Sequence, residues 1–334
     1  MVVRFDVAEQ AYRIFSFGGG FETPPFLLLT AVGWEHDNLF NQGQQLAIDF
    51  EFSPGFRGEY RASAEATWRV PYLILTRHDL FVRPFASLEK FDSVPKKEIG
   101  IETGLSRNVA SHLVVGLFNR VRLVSDTSGS ITNALGLDVQ FDSRDDVFET
   151  RSGVYFRPLA EAAGGLLGGD NDFYRLSGEV RGFVSPGLGV VVAGRVMAGR
   201  VFPYGRTRVV PYFESFTLGG RNSLRGYDDQ SLGPDSTGPI AGGGKRFGPQ
   251  VLNANLELRS PYAFGWVGLV GFLDVGEVTS TDAGFSVAAL EYAAGLGLRV
   301  ATPIGPARLD WGKRLHHAEP GDRGRLYLGL LHAF

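Results

Sequence analysis

The sequence predicts an all-β fold, a sixteen-stranded antiparallel transmembrane β-barrel. Three observations carry this: apolar and polar residues alternate with period two, the alternating segments run about 9 to 12 residues, and no apolar run approaches the roughly 18 residues of a spanning helix. In Leu46 to Phe52, the residues Leu46, Ile48, Phe50 and Phe52 are apolar, whereas Ala47, Asp49 and Glu51 are small or acidic. One face is greasy and the other wet. A soluble sandwich also alternates, but its strands average roughly 5 to 6 residues. A tilted strand crossing a bilayer needs about 9 to 11, which these segments match.

Glycine, proline and Asn/Asp clusters punctuate the chain into sixteen segments. The first begins near Tyr12 and contains Gly18, Gly19 and Gly20, which lower β propensity and leave little side chain to pack, so it should pair weakly. A bulge or relief of crowding would also explain these glycines. The second begins near Phe26; its apolar stretch Phe26 to Trp34 is only half a helical span. The third, near Gln45, holds the alternation above. The fourth, near Arg57, sets Tyr60, Ala62, Ala64, Ala66 and Trp68 against Glu59, Arg61, Ser63, Glu65, Thr67 and Arg69. Segments near His78, Lys96, Ala110, Ile131 and Arg151 follow. The tenth, near Asp172, opposes Tyr174, Leu176, Val180 and Val184 to Arg175, Ser177, Glu179 and Arg181. After the eleventh, near Leu188, comes the connection Pro203 to Pro249, far longer than the usual 2 to 6 residues. The twelfth, near Val251, sets Leu252, Ala254, Leu256 and Leu258 against Asn253, Asn255, Glu257 and Arg259. The last four begin near Trp266, Val287, Ala307 and Arg325, and Gly329 sits in the middle of the final one. An even number permits antiparallel closure, and hydrocarbon, which offers an open edge no hydrogen-bond partner, requires it. With both ends of the barrel facing the periplasm, the long connection is extracellular.

Composition removes other classes. A net charge of -3 gives no basic excess to neutralise nucleic acid. Without cysteine there are no disulfides, thiolate metal sites or cysteine nucleophiles. Residues 1–10 lack the apolar core of a secretion signal; Val2 to Ala8 alternates but is too short to span, and belongs to a domain or linker preceding a barrel of residues 11–334. The histidines His36, His78, His112, His316, His317 and His332 carry no HExxH spacing, and His316 and His317 are placed on an exposed last loop, so no metal site is expected. Asp142, Arg144, Asp145 and Asp146 read as a self-bonded turn before they read as a carboxylate site. Gly242 to Arg246 superficially resembles a phosphate loop, but Arg246 follows Lys245 where Ser or Thr is needed. No Gly-x-Ser-x-Gly elbow exists, so no esterase activity resides here, and neither catalytic residues nor cofactors are expected. Arginine outnumbers lysine, which occurs only at 90, 96, 97, 245 and 313; charged inner-wall networks explain that bias.

Within the long connection, Phe216 to Tyr227, ending Arg225-Gly226-Tyr227, with Leu232-Gly233-Pro234 following, resembles the sixth-loop motif of the BamA/TamA superfamily of outer-membrane assembly factors. Four further stretches agree in order: Asn38 to Phe40, Asp142 to Asp146 before Gly153, Val270 to Gly276, and Gly295 to Pro306. The terminal Phe334 resembles the family's outer-membrane recognition signal, with Leu326, Leu328 and Leu330 on the same face; His332 departs from it, standing where an aromatic is more usual.

The resemblance implies that the long loop folds back into the lumen and that Arg225 pairs with acidic residues of the inner wall. Alternation independently puts Glu257 on the wet face, and Asp274 is the one strong charge in Val267 to Val275. A guanidinium fork can hold two carboxylates, so Arg225, Glu257 and Asp274 are expected to form a lumenal lock, with Gly226 allowing close approach and Tyr227 packing beside it. A solvated Arg225 is the competing reading. The second expected site is the seam between first and last strands, at Ser16, Gly18, Gly19, Gly20, Gly329, Leu331 and Phe334. The family resemblance implies that it opens sideways to template an incoming strand. The implied function is nucleotide-independent insertion of outer-membrane or secreted clients, with outer-membrane lipid, unfolded clients and periplasmic or inner-membrane accessory proteins as partners. A barrel anchor for an N-terminal module such as a lipase, and a passive porin, are the alternatives.

Overall fold

A computed structural model describes residues 12–22, 27–56, 58–73, 78–90, 95–126, 129–234, 246–280, 284–302, 305–317, 321–330 and 332–334 of the 334-residue chain. Sixteen strands form one sheet in sequence order, each paired antiparallel with its neighbours. They are β1 (Arg13–Glu22), β2 (Leu27–Leu39), β3 (Gln44–Pro54), β4 (Tyr60–Val70), β5 (His78–Lys90), β6 (Lys96–Ala110), β7 (Leu113–Ser125) and β8 (Gly129–Asp142). Then follow β9 (Gly153–Ala163), β10 (Phe173–Gly187), β11 (Val190–Pro203), β12 (Gln250–Arg259), β13 (Val267–Thr279), β14 (Glu291–Val300), β15 (Ala307–Arg314) and β16 (Arg325–Leu330). The segment expected near Val287 starts four residues late, because Val287–Ala289 forms a single 3-10 turn before Glu291. The expected strand remnant in residues 1–10 lies outside the described residues.

Period two sorts the side chains between lipid and bore. Along β12, Leu256 and Leu258 point out and are half exposed, while Asn253, Asn255, Glu257 and Arg259 are buried inside. Phe15, Phe17, Ile48, Phe50, Leu269 and Leu296 are exposed on the outer face in the same way. Such a girdle of large apolar side chains would be a liability in water and is what hydrocarbon demands.

The circuit is not closed by hydrogen bonds. Strands β1 and β16 come within 8 Å, Cα to Cα, yet no ladder joins them among the described residues. This corrects the expectation of a fully paired cylinder. Strand β16 is the shortest of the sixteen, with six described residues paired to β15, fewer than the ~9–11 that cross a bilayer. Gly18, Gly19 and Gly20 pair with Ala31, Thr30 and Leu29 in unbroken register, with no bulge.

Even strand number places both ends of the barrel at one rim. The 204–249 connection leaves from the opposite rim, between β11 and β12. Its described part, 204–234 and 246–249, turns into the bore and packs on the inner wall. Phe216 lies over Gly199, where an added Cβ would meet the ring at 2.4 Å, and Leu218 lies over Gly276, at 2.8 Å. Leu218 joins Val251 and Val278 in one apolar cluster, and Leu224 and Tyr227 join Ala293 in another. Glycine on these walls is therefore the footprint of the loop.

Candidate functional site

The loop tip meets the wall at Arg225, which is 1% exposed. Its fork grips Asp274 on β13 with both oxygens, Nε to Oδ2 at 2.8 Å and Nη2 to Oδ1 at 2.9 Å, and its backbone N–H donates to Oδ2 at 3.1 Å. Nη1 donates to Glu257 Oε1 on β12 at 2.6 Å. The guanidinium lies 3.5 Å from the centroid of the Phe272 ring, a cation–π contact on a desolvated ion. The three residues expected to form a lock are thus in direct contact, and Arg225 is not solvated.

Sequence reasoning missed a third carboxylate. Asp310 on β15, fully buried, accepts from Arg225 Nη1 at 3.3 Å and pairs with Arg299 Nη1 at 2.5 Å. Arg259 and Arg299 pair with Glu257 at 2.9 and 3.6 Å, and Arg308 with Asp310 at 3.6 Å. Four arginines therefore share three carboxylates in a water-poor space, where each partner found matters most. Alternation of Arg308, Asp310 and Gly312 against Leu309 and Trp311 was the signal that could have found Asp310.

Gly226 sits at φ 100°, where a side chain is strained, and its Cβ would meet the backbone of Gly312, Lys313 and Arg314 at 3.1–3.3 Å. Its N–H donates to the Tyr327 hydroxyl at 3.0 Å, and that hydroxyl donates to the Tyr227 carbonyl at 2.7 Å. Tyr327, on β16, is a second residue the sequence did not reveal. The Tyr227 hydroxyl donates to Glu291 Oε2 at 2.6 Å; burial, then Glu291, push this phenol above its ordinary range, so it remains a donor. Arg325 on β16 holds Asp228 through two hydrogen bonds of 2.7 and 2.8 Å and donates to the Gly226 carbonyl at 2.8 Å. The plug thus leans on the last strand.

A second anchor has inverted polarity. In the 3-10 turn Tyr212–Glu214, Glu214 is fully buried and pairs with Arg122 on β7, with Arg175 on β10 at 2.6 Å and with Arg120 at 3.6 Å. Burial opposes its ionisation, but the three arginines outweigh that and hold the carboxyl down at about 2. The loop gives a base to an acidic wall and an acid to a basic one. No local pattern in Tyr212 to Glu214 announces this, because the partners are scattered over two distant strands.

At the seam, Ser16 on β1 pairs opposite Gly33 and Gly329 on β16 opposite Arg308. Leu331 lies outside the described residues. Phe334 corrects the expectation that it shares the outer face of Leu326 and Leu328. It is 8% exposed and packs with Phe183 and Ala193, inward-facing residues of β10 and β11, under Arg259 at 5.6 Å. There its ring is buried against the apolar side chains of Phe183 and Ala193.

Other candidates resolve simply. Asp142 accepts three hydrogen bonds from Arg144, while Asp145 and Asp146 accept backbone N–H groups of their own turn, which leaves a self-bonded structure. Residues 242–245 of the glycine-rich run lie outside the described residues; Arg246 N–H donates to the Gln230 carbonyl at 2.7 Å. His316 and His317 follow β15, as expected of the last loop, but both turn toward Glu291. The bore beside the plug holds a cavity of about 420 Å³ lined by Arg83, Glu102, Arg120, Arg157, Glu161 and Arg175 among others.

Comparison with known proteins agrees with this architecture. A family model described as the Omp85 superfamily domain matches residues 38–334. The outer membrane protein assembly factor BamA of Nitratidesulfovibrio vulgaris is 26% identical over 308 residues, 86% of this chain and 37% of that one. The chain therefore spans little more than a third of that relative. The sorting and assembly machinery component 50 homolog of Mus musculus is 30% identical over 118 residues, 35% of this chain and 25% of that one. Among solved structures, BamA from Haemophilus ducreyi lacking POTRA domains 1-3 superposes with a TM-score of 0.76 at 17% identity, covering 96% of this chain and 69% of that one. CdiB from Acinetobacter baumannii superposes with a TM-score of 0.65 at 14% identity, covering 93% and 57%.

Proposed function

The chain belongs to the Omp85 superfamily, a β-barrel of the Gram-negative outer membrane, and from that premise we propose that it assembles or translocates other outer-membrane or secreted proteins through the seam between β1 and β16. The observation that carries this reading is the pair of strand edges that no ladder joins among the described residues, beside a plug that is itself held by β16. Unpaired backbone N–H and C=O groups facing lipid are costly. An incoming β-segment that pairs with β1 relieves that cost, and its own folding supplies the driving force, so neither nucleotide nor catalytic residue is required. BamA is by name an assembly factor for outer-membrane proteins, which supports the same reading. Unfolded clients, surrounding lipid and accessory proteins in the periplasm or inner membrane are the partners this implies.

The test uses the chain refolded into liposomes and a urea-unfolded eight-stranded barrel as client. Cysteine at Ser16, scanned against single cysteines from Leu326 to Gly329, will find the pair that oxidises. The oxidised form should lose its acceleration of client folding and regain it on reduction. Acceleration indifferent to the cross-link would sink the seam. A large stable conductance in planar bilayers would instead favour the passive porin, against which the seated plug argues.

A further inference from the structure

At the rim where the long connection leaves, three side chains meet: Glu291, the first residue of β14, and the adjacent pair His316 and His317, just after β15. Each offers one ligand atom, and the three atoms lie within 4.8 Å of one another. Successive residues of an extended chain point to opposite faces. His317 escapes that rule by taking φ 47°, a left-handed conformation uncommon for a non-glycine residue. As a result the two imidazole rings stand side by side, centroids 3.9 Å apart, and both face one carboxylate. His317 Nδ1 is 2.9 Å and His316 Nδ1 3.9 Å from Glu291 oxygens.

We propose that Glu291, His316 and His317 bind a divalent transition-metal ion. Two imidazoles and a carboxylate are the donor set of zinc and of its neighbours cobalt, nickel and copper; calcium and magnesium prefer oxygen throughout. Three protein ligands leave room for water to complete the shell. The surroundings already provide the outer contacts that such sites use to aim their ligands. The Tyr227 hydroxyl donates to Glu291 Oε2 at 2.6 Å, and His316 Nδ1 lies 2.9 Å from the Leu290 carbonyl, a bond that leaves Nε2 with the free lone pair. The metal ties β14 to the β15–β16 connection and, through Tyr227, both of them to the loop plug. Its binding therefore stabilises the plug in the bore.

The test is titration of the refolded chain in detergent micelles with Co2+, followed by its visible d–d absorption, and then displacement by Zn2+. One equivalent should develop the band, and the double variant His316→Ala and His317→Ala should abolish it. Tyr227→Phe, which removes an outer contact, should weaken binding about 10–100-fold. Retained heat-modifiable mobility on gels will report that each variant still forms the barrel, and the single variant His317→Ala, at an exposed position, serves if the double one does not fold. Zn2+ should also slow proteolysis of the long connection in the parent chain and not in the variant. No band at one equivalent, or binding and protection that persist unchanged without the two histidines, would overturn the proposal.

Discussion

Replacing Arg225 by alanine tests whether the plug is held by one irreplaceable ion pair or by a diffuse charge balance. The variant leaves Glu257 with Arg259 at 2.9 Å and Asp310 with Arg299 at 2.5 Å. Asp274 differs: among the described ion pairs its arginine partner is Arg225, and what remains is the Asn255 amide at 2.8 Å. Removing one member of a buried pair costs about 3–5 kcal/mol, because the other is left buried and charged. If that loss falls on plug docking, the loop should open about 10²- to 10³·⁵-fold more often, at roughly 1.4 kcal/mol per tenfold. Arg225→Lys should recover only part, since an ammonium cannot span both oxygens of Asp274 as the fork does. Adding Asp274→Asn to Arg225→Ala removes the orphaned charge and should restore about half of the lost stability, a coupling that a double-mutant cycle reads directly. The assays are urea unfolding in micelles and the rate of protease cleavage within 204–249. The opposing argument is that four arginines against three carboxylates leave one to spare. A change in Arg225→Ala below ~1 kcal/mol, with no coupling to Asp274, would refute the lock.

The other predictions use the same two assays. Gly312→Ala places a Cβ 2.9 Å from the Arg225 carbonyl carbon and Gly226 nitrogen, so the loop tip must shift, at about 1–3 kcal/mol and with faster cleavage of the loop. Tyr327→Phe removes the hydroxyl that joins the Gly226 N–H to the Tyr227 carbonyl and should cost about 1–3 kcal/mol while leaving the outer wall, and so the heat-modifiable mobility, intact. For pH, Glu214 has a folded value of about 2 against 4.5 unfolded, so its contribution is fully present above pH 4.5 and is lost as pH falls through 2. At ~1.36 kcal/mol per unit that is about 3 kcal/mol. Glu214→Gln should abolish this acid limb of the unfolding midpoint, whereas an unchanged limb would assign it to other carboxylates.

The lock and its surroundings mark how far alternation reaches. Glu257 and Asp274 were legible because each sits on a regular strand whose lipid-facing neighbours declare the opposite face. Asp310 obeys the same pattern and was overlooked. Glu214 obeys none: its 3-10 turn has no periodicity, and Arg120, Arg122 and Arg175 reach it only because β7 and β10 bound the bore where the loop descends. Gly18 to Gly20 and Gly329 pointed to a weak closing pair; β1 pairs with β2 in unbroken register, and no ladder joins β1 to β16 among the described residues.

By itself, the sequence determined which residues face lipid, how many strands there are to within a few residues of each boundary, and where the one long connection falls. Each depends on the pleat of a strand or the punctuation of a turn, and both are set by residues within a few positions. Only the tertiary structure decided that Phe334 turns inward to Phe183, that Tyr327 and Arg325 hold the plug from the last strand, and that Glu291 meets His316 and His317. These contacts join residues tens to more than a hundred and fifty positions apart, and they depend on strand register and on the descent of the loop, which no local window contains.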